Sequence, residues 1–208
     1  MLDGKTVLVA GGSSGIGLAV ASLAHKNGAH AIIASRNAVM QNARLRELVG
    51  KTIEVHSLDI TSDESVYRLF QALSSIDHLV ITVRPEIKSS LFLEGEIREA
   101  KQAFDTKFWG TYRLIRAAKP HFRQYGSITL TSGIAGEKVY KGASTMAIIN
   151  SATETLGTQH KIVKQVIYRW TFTGANYMIS MDLNKGRMPW LIRKKEKNPL
   201  RSEPLHRN

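Results

Sequence analysis

Along the first three quarters of the chain, short apolar runs alternate with longer stretches in which apolar positions recur every three or four residues. The short runs, such as "TVLVA" and "IDHLV", are apolar on nearly every position, as expected of strands buried on both faces of a parallel sheet. This pattern predicts strands near 5–10, 30–35, 52–57, 78–83 and 126–131. Helical spacing fills the gaps, over Ile16 to Asn27, Ala38 to Val49, Asp63 to Ser74 and Ile97 to Pro120, with Thr61 or Ser62 as an N-cap. Residues 144–156 predict a further helix, with Ala143, Ala147, Ile148, Ala152 and Leu156 on neighbouring faces. Strand and helix in alternation specify a three-layer α/β/α architecture.

After Gly157 the pattern changes. One apolar alternation remains around Ile162 to Phe172, and basic, proline-containing sequence without a clear period follows. Eleven Lys/Arg stand there against Asp182, Glu196 and Glu203, so +8 of the chain's formal charge of +12 lies beyond residue 156. The last stretch, about fifteen residues, reads as a solvated tail. The 208 residues suffice for a single sizeable core without metal or disulfide support. Cysteine is absent, which excludes thiolate metal sites and cysteine nucleophiles and suggests a cytoplasmic setting. The apolar run at the N-terminus is too short for a signal peptide or a membrane span, and neither is expected elsewhere.

The first strand runs through Gly11, Gly12, Ser13, Ser14, Gly15, Ile16 and Gly17 directly into a helix. Glycine at 11 permits a tight turn and close approach of backbone to a phosphate. The helix N-terminus then offers unpaired N–H groups and partial positive charge, to which Ser13 and Ser14 add hydroxyls. A dinucleotide pyrophosphate fits this strand–turn–helix order better than an unliganded turn. The second strand ends in Ser35 and Arg36, where an NAD-preferring site would carry an acid for the ribose 2′-hydroxyl. A guanidinium suits a 2′-phosphate, so NADP is favoured over NAD, with an ordinary solvated arginine as the alternative. Asp59, after the third strand, suits either an adenine amino group or a local turn.

The spacing Gly11-x-x-x-Gly15-x-Gly17, with Arg36, Asp59, "IDHLV" and "GSITLTSGIAG", resembles the short-chain dehydrogenase/reductase family over residues 1 to about 156. The resemblance implies a Rossmann-like, doubly wound parallel sheet and hydride transfer between NAD(P) and a small carbonyl or alcohol. It also implies a dimer through the helices at 97–119 and 144–156. Residues 1–156 would form the NAD(P)-binding domain. Residues 157–208 would be a divergent basic segment that completes the sheet only in part, leaving it incomplete at its C-terminal edge. By the same resemblance Gly11, Ser13, Ser14, Gly15, Ile16, Gly17 and Arg36 hold the cofactor phosphates, Asp59 and Ile60 flank the adenine, and Ser132 bonds the substrate oxygen.

The chain departs from the family in several places. The fourth strand ends Ile81, Thr82, Val83, Arg84 rather than Asn-Asn-Ala-Gly, so Thr82 and Val83 would line the site through their backbone. Lys107 stands where an asparagine usually holds a proton-relay water; it would either act in acid–base chemistry or be an exposed helix lysine. The run "FDTKFWG" around it resembles a shorter subgroup of the family that also carries lysine here. The residues four after Tyr67, Tyr112, Tyr125, Tyr140, Tyr168 and Tyr177 are Gln71, Arg116, Thr129, Ser144, Phe172 and Met181, so the family's Tyr-x-x-x-Lys pair is missing. Tyr140 and adjacent Lys141 diverge by about 100° on a helix and do not replace it. Tyr140 with Lys107 as partner is a remaining arrangement.

These observations leave an NADP-dependent oxidoreductase using Ser132 with Lys107 or Tyr140, on a small carbonyl or alcohol. The alternative is a dinucleotide-binding relative with impaired chemistry, including the product of a shifted reading frame. A nucleic-acid role for the basic tail is disfavoured, since "RKKEKNPLR" is short and contains a glutamate.

Overall fold

The computed structural model describes residues 2–36, 45, 47, 53–138 and 140–158, and the backbone of 167–172. The described strands are β1 (Thr6–Ala10), β2 (His30–Ser35), β3 (Ile53–Ser57), β4 (Ile76–Ile81), β5 (Phe122–Ser132) and β6 (Ile167–Phe172). They form one parallel sheet in the order β3-β2-β1-β4-β5-β6. The described helices are α1 (Gly15–Lys26), α2 (Asp63–Ala72), α3 (Ile97–Phe104), α4 (Gly110–Ala118) and α5 (Ser144–Thr158). The predicted helix at 38–49 lies largely outside the described residues, of which Leu45 and Glu47 are helical.

Alternation along the strands builds the two cores. Leu8 and Ala10 of β1, Ile32 and Ala34 of β2, and Leu79 and Ile81 of β4 pack with Val66, Leu69 and Phe70 of α2 and Leu114 and Ala118 of α4. Their neighbours Val7, Val9, Ala31, Ile33 and Val80 pack with Leu18, Ala21 and Ala24 of α1 on the opposite face. A strand apolar at successive positions therefore has a helix layer on each side. The doubly wound three-layer fold is as expected.

The elements differ from the expectations in four places. The predicted helix over 97–120 is broken by a π-helical turn, Asp105–Trp109, between α3 and α4. Strand β4 begins at Ile76, two residues early, because the Asp77 carboxylate accepts from the Thr6 N–H at 2.9 Å and ties this end of the strand to β1. Strand β5 is longer than predicted and shifts register against β4 between Ile76 and His78, with Tyr125 at φ +66° in the shifted stretch. On α5 the buried residues include Ile149, Asn150 and Thr153, whereas Ile148 is exposed; polar groups face inward here, which an apolar periodicity misreads. The apolar alternation after residue 157 does supply a sixth strand, β6, paired along β5 from Ser127 to Ser132.

Polar groups are buried at the N-terminal end of the sheet. Burial pushes the Asp77 carboxyl up, but hydrogen bonds from Thr6 N–H, Lys5 and Arg123 (3.0 and 2.6 Å for the side chains) outweigh it and hold the group below its usual value. Next to it, His78 lies within hydrogen-bond distance of Ser127 Oγ at 2.8 Å, and desolvation pushes its imidazole down to about 4.

Because the folded-state value of His78 lies below its ordinary 6.5, the unfolded chain takes up the proton first, and stability is lost as the pH falls from 6.5 to 4. Urea unfolding at pH 7 and pH 4 should show the wild type losing about 2–3 kcal/mol more than His78→Gln. Equal losses in the two proteins would remove His78 as the acid-labile group.

Candidate active site

The C-terminal ends of β1 to β5 surround a cavity of about 1460 Å³ at the point where strand order reverses between β1 and β4. Its floor is the glycine turn. Gly11 leaves β1 at φ +82° and Gly15 opens α1 at φ +53°, both in the left-handed region that glycine adopts without penalty. A Cβ on Gly17 would strike the Gly11 carbonyl and lie 2.5 Å from Thr82 Oγ1, so α1 starts as close to β1 and β4 as backbone allows. Thr82 Oγ1 donates toward Ala10 O and Gly11 O at 3.1 and 3.2 Å and closes this seam. The N-cap Ser14 makes no side-chain bond to the helix, so no serine cap covers the first amides of α1. Gly11, Ser13, Ser14, Gly15 and Ile16 line the cavity, whereas Gly17 lies beneath it as a spacer.

At the far side of the turn, Arg36, Asp59, Ile60, Thr82 and Val83 also line the cavity. Asp59 forms a turn: its Oδ1 accepts from Thr61 N–H at 2.9 Å and from the Thr61 hydroxyl at 2.7 Å. These bonds, with the Arg36 and Arg113 charges, hold its carboxyl below the usual range. Ser62 is the N-cap of α2, accepting from Ser65 N–H. Ser35 Oγ is buried without a hydrogen-bond partner among the described residues, at the strand end where a ribose would be read. The glycine cradle, which a single Cβ would fill, and this unpaired hydroxyl fit a dinucleotide.

The opposite end of the cavity is built from the π turn, β5 and α5. An extra residue in a helical turn redirects side chains, and here it carries Lys107 inward to 7% exposure. Lys107 Nζ donates to Asn150 Oδ1 at 2.8 Å. Burial pushes its ammonium down to about 8, opposed by the Glu154 carboxylate and reinforced by Arg84. Ser132, the last residue of β5, donates from Oγ to Glu154 Oε1 at 2.6 Å. Lys107, Ser132 and Asn150 line the cavity, so the structure brings two of the three predicted catalytic residues together.

Tyr140 is not brought in. It is 48% exposed and absent from the cavity wall, and its carbonyl accepts from Ala143 N–H in the turn that leads into α5, with Gly142 at φ +75°. The structure does not bring Tyr140 and Lys107 together; the Lys107 amine donates to Asn150. Sequence reasoning assigned no role to Asn150, Glu154 or Glu86. The first two sit four apart on α5, a spacing that puts them on one face, but only tertiary contact shows that this face meets Lys107 and Ser132. Among the described residues no group of three or more His, Asp or Glu is placed to hold a metal, and no helix is long and apolar enough to cross a membrane.

A family model described as enoyl-(acyl carrier protein) reductase matches residues 10–159. An uncharacterized oxidoreductase of Staphylococcus aureus is 27% identical over 172 residues, covering 79% of this chain and 74% of the relative. Among solved structures, a small-chain dehydrogenase in complex with NADPH is 30% identical with a TM-score of 0.64, covering 78% of this chain and 66% of that one. A short-chain dehydrogenase from Streptomyces avermitilis is 27% identical with a TM-score of 0.72, covering 81% and 64%. The chain thus spans about two thirds of the length of these two structures. With the reversed strand order and the glycine turn at the switch point, these matches place the chain in the short-chain dehydrogenase/reductase family of NAD(P)-dependent oxidoreductases.

The buried Lys107 generates a test of the site's electrostatics. Its folded-state value of about 8 lies below the ordinary 10.5, so its charge weakens the fold below pH 8 and the penalty is relieved as the pH rises to 10.5. Relative to Lys107→Met, the wild type should gain about 3 kcal/mol of unfolding free energy between pH 7 and pH 10.5. A constant difference between the two proteins across that window would show that Lys107 is not buried as a cation.

Proposed function

We propose that this chain is an NADP(H)-dependent oxidoreductase acting on a small carbonyl or alcohol, with Ser132 and Lys107 at the reacting end. The observation that carries this reading is one cavity lined at one end by the glycine turn and Arg36 and at the other by Ser132 and Lys107. Gly11, Ser13, Ser14, Gly15 and Ile16 would hold the pyrophosphate, with Gly17 keeping the turn narrow. Arg36 would take the 2′-phosphate, and Ile60, Thr82 and Val83 would wall the nucleoside. The NADPH carried by the related dehydrogenase supports the same assignment. NADP(H), when bound, supplies or accepts the hydride.

The protein's own part is proton handling. An amine with a pKa near 8 exchanges a proton close to neutral pH, the range in which general acid–base catalysis is most effective. Asn150 aims Lys107, and Glu154 orients the Ser132 hydroxyl beside it. Exposed Ile97, Trp109, Tyr112 and Ile148 on the helical face support a homodimer, and the cysteine-free composition supports a cytoplasmic setting.

A second reading, a nucleotide-binding protein without turnover, is favoured by the exposed position of Tyr140. Fluorescence titration with NADPH and NADH, followed by a screen of small aldehydes and ketones, separates the two. NADPH should bind, and Arg36→Ala should weaken it about tenfold while leaving NADH within about twofold. Binding without turnover of any substrate would favour the second reading, and failure to bind either nucleotide would defeat both.

A further inference from the structure

The adenosine end of the cavity contains an ion pair that the proposed chemistry does not use. Arg36 follows β2 and Glu86 follows β4, and in the sheet these strands flank β1 on opposite sides. The contact between them, Arg36 Nη2 to Glu86 Oε1 at 3.2 Å, therefore reaches across the end of β1 above the glycine turn. Both residues line the cavity. Pro85 fixes the backbone immediately before Glu86, which limits where its carboxylate goes. The side chains are 59% and 89% exposed, so the pair is weak and readily exchanged for a better ligand.

From this geometry we infer that Glu86 is a specificity-determining residue that sets the balance between the two nicotinamide dinucleotides. The inference rests on the cofactor assignment proposed above. The acid missing from the end of β2, where Ser35 stands, is supplied from the β4 loop and held in place by Arg36. For NAD(H), Glu86 stays on Arg36 and accepts a hydrogen bond from the ribose 2′-hydroxyl. For NADP(H), the 2′-phosphate takes the guanidinium, and Glu86 must give it up and move away from a like charge. The chain consequently binds both dinucleotides, with a narrower preference for NADP(H) than Arg36 alone would impose.

Fluorescence titrations of the full chain with NADPH and NADH test this in four proteins: wild type, Glu86→Gln, Arg36→Ala and the double variant. Glu86→Gln should tighten NADPH about fivefold and weaken NADH about threefold, and in the Arg36→Ala background its effect on NADPH should shrink to less than about twofold. If the wild type binds but Glu86→Gln leaves the ratio of the two affinities unchanged, the role of Glu86 is overturned and the cofactor assignment stands. A Glu86→Gln effect on NADPH that persists undiminished without Arg36 would overturn the exchange at the guanidinium. A wild type that binds neither dinucleotide would overturn the cofactor assignment and this inference with it.

Discussion

The rest of the site depends on how closely three pieces of backbone approach one another where β1, β4 and α1 meet. Gly17 has no room for a Cβ against the Gly11 carbonyl, and the Thr82 hydroxyl bridges the carbonyls of Ala10 and Gly11 from the end of β4. This seam holds α1 with its N-terminus beside the strand ends. It also sets the distance between the β2 and β4 loops that an Arg36–Glu86 contact spans. A methyl group added at Gly17 would push apart the elements that frame the whole cavity.

Buried polar groups divide between the two ends of the sheet by what surrounds them. At the N-terminal end Asp77 is matched by an amide, an ammonium and a guanidinium, so its charge is retained and ties β1, β4 and β5 together. At the C-terminal end Lys107 has, among the described residues, one neutral hydrogen-bond partner and a carboxylate farther off, so desolvation prevails and its proton is held loosely. The same physics keeps the charge on one group and loosens the proton of the other. The difference is the number of hydrogen bonds offered to the charged form.

Residues far apart in the chain converge on one region of the cavity. Thr82, Val83 and Arg84 follow β4, Lys107 stands in the π turn, and Asn150 lies on α5. In space these residues are neighbours: Arg84 acts electrostatically on Lys107, and Lys107 donates to Asn150 on α5. Residues separated by more than twenty positions in the chain thus shape a single pocket.

The glycine turn, the alternating strands and the places of Arg36 and Ser132 at strand ends were legible in the sequence because each rests on local rules: positive φ, period-two burial, and a fixed distance from a strand end. The inward polar face of α5, the π turn and the pairings of Asn150 and Glu154 were not legible. Apolar periodicity assigns helix faces by hydrophobicity, and here a helix buries Asn150, which meets the Lys107 cation, and Thr153, whose hydroxyl donates to the Ile149 carbonyl of its own turn. By itself the sequence determined the layer order and the tight glycine turn, which depend on backbone geometry within a few residues. Only the tertiary structure decided which charged groups meet in the cavity, because burial and long-range contact, not spacing along the chain, set whether a lysine keeps its proton or an arginine its partner.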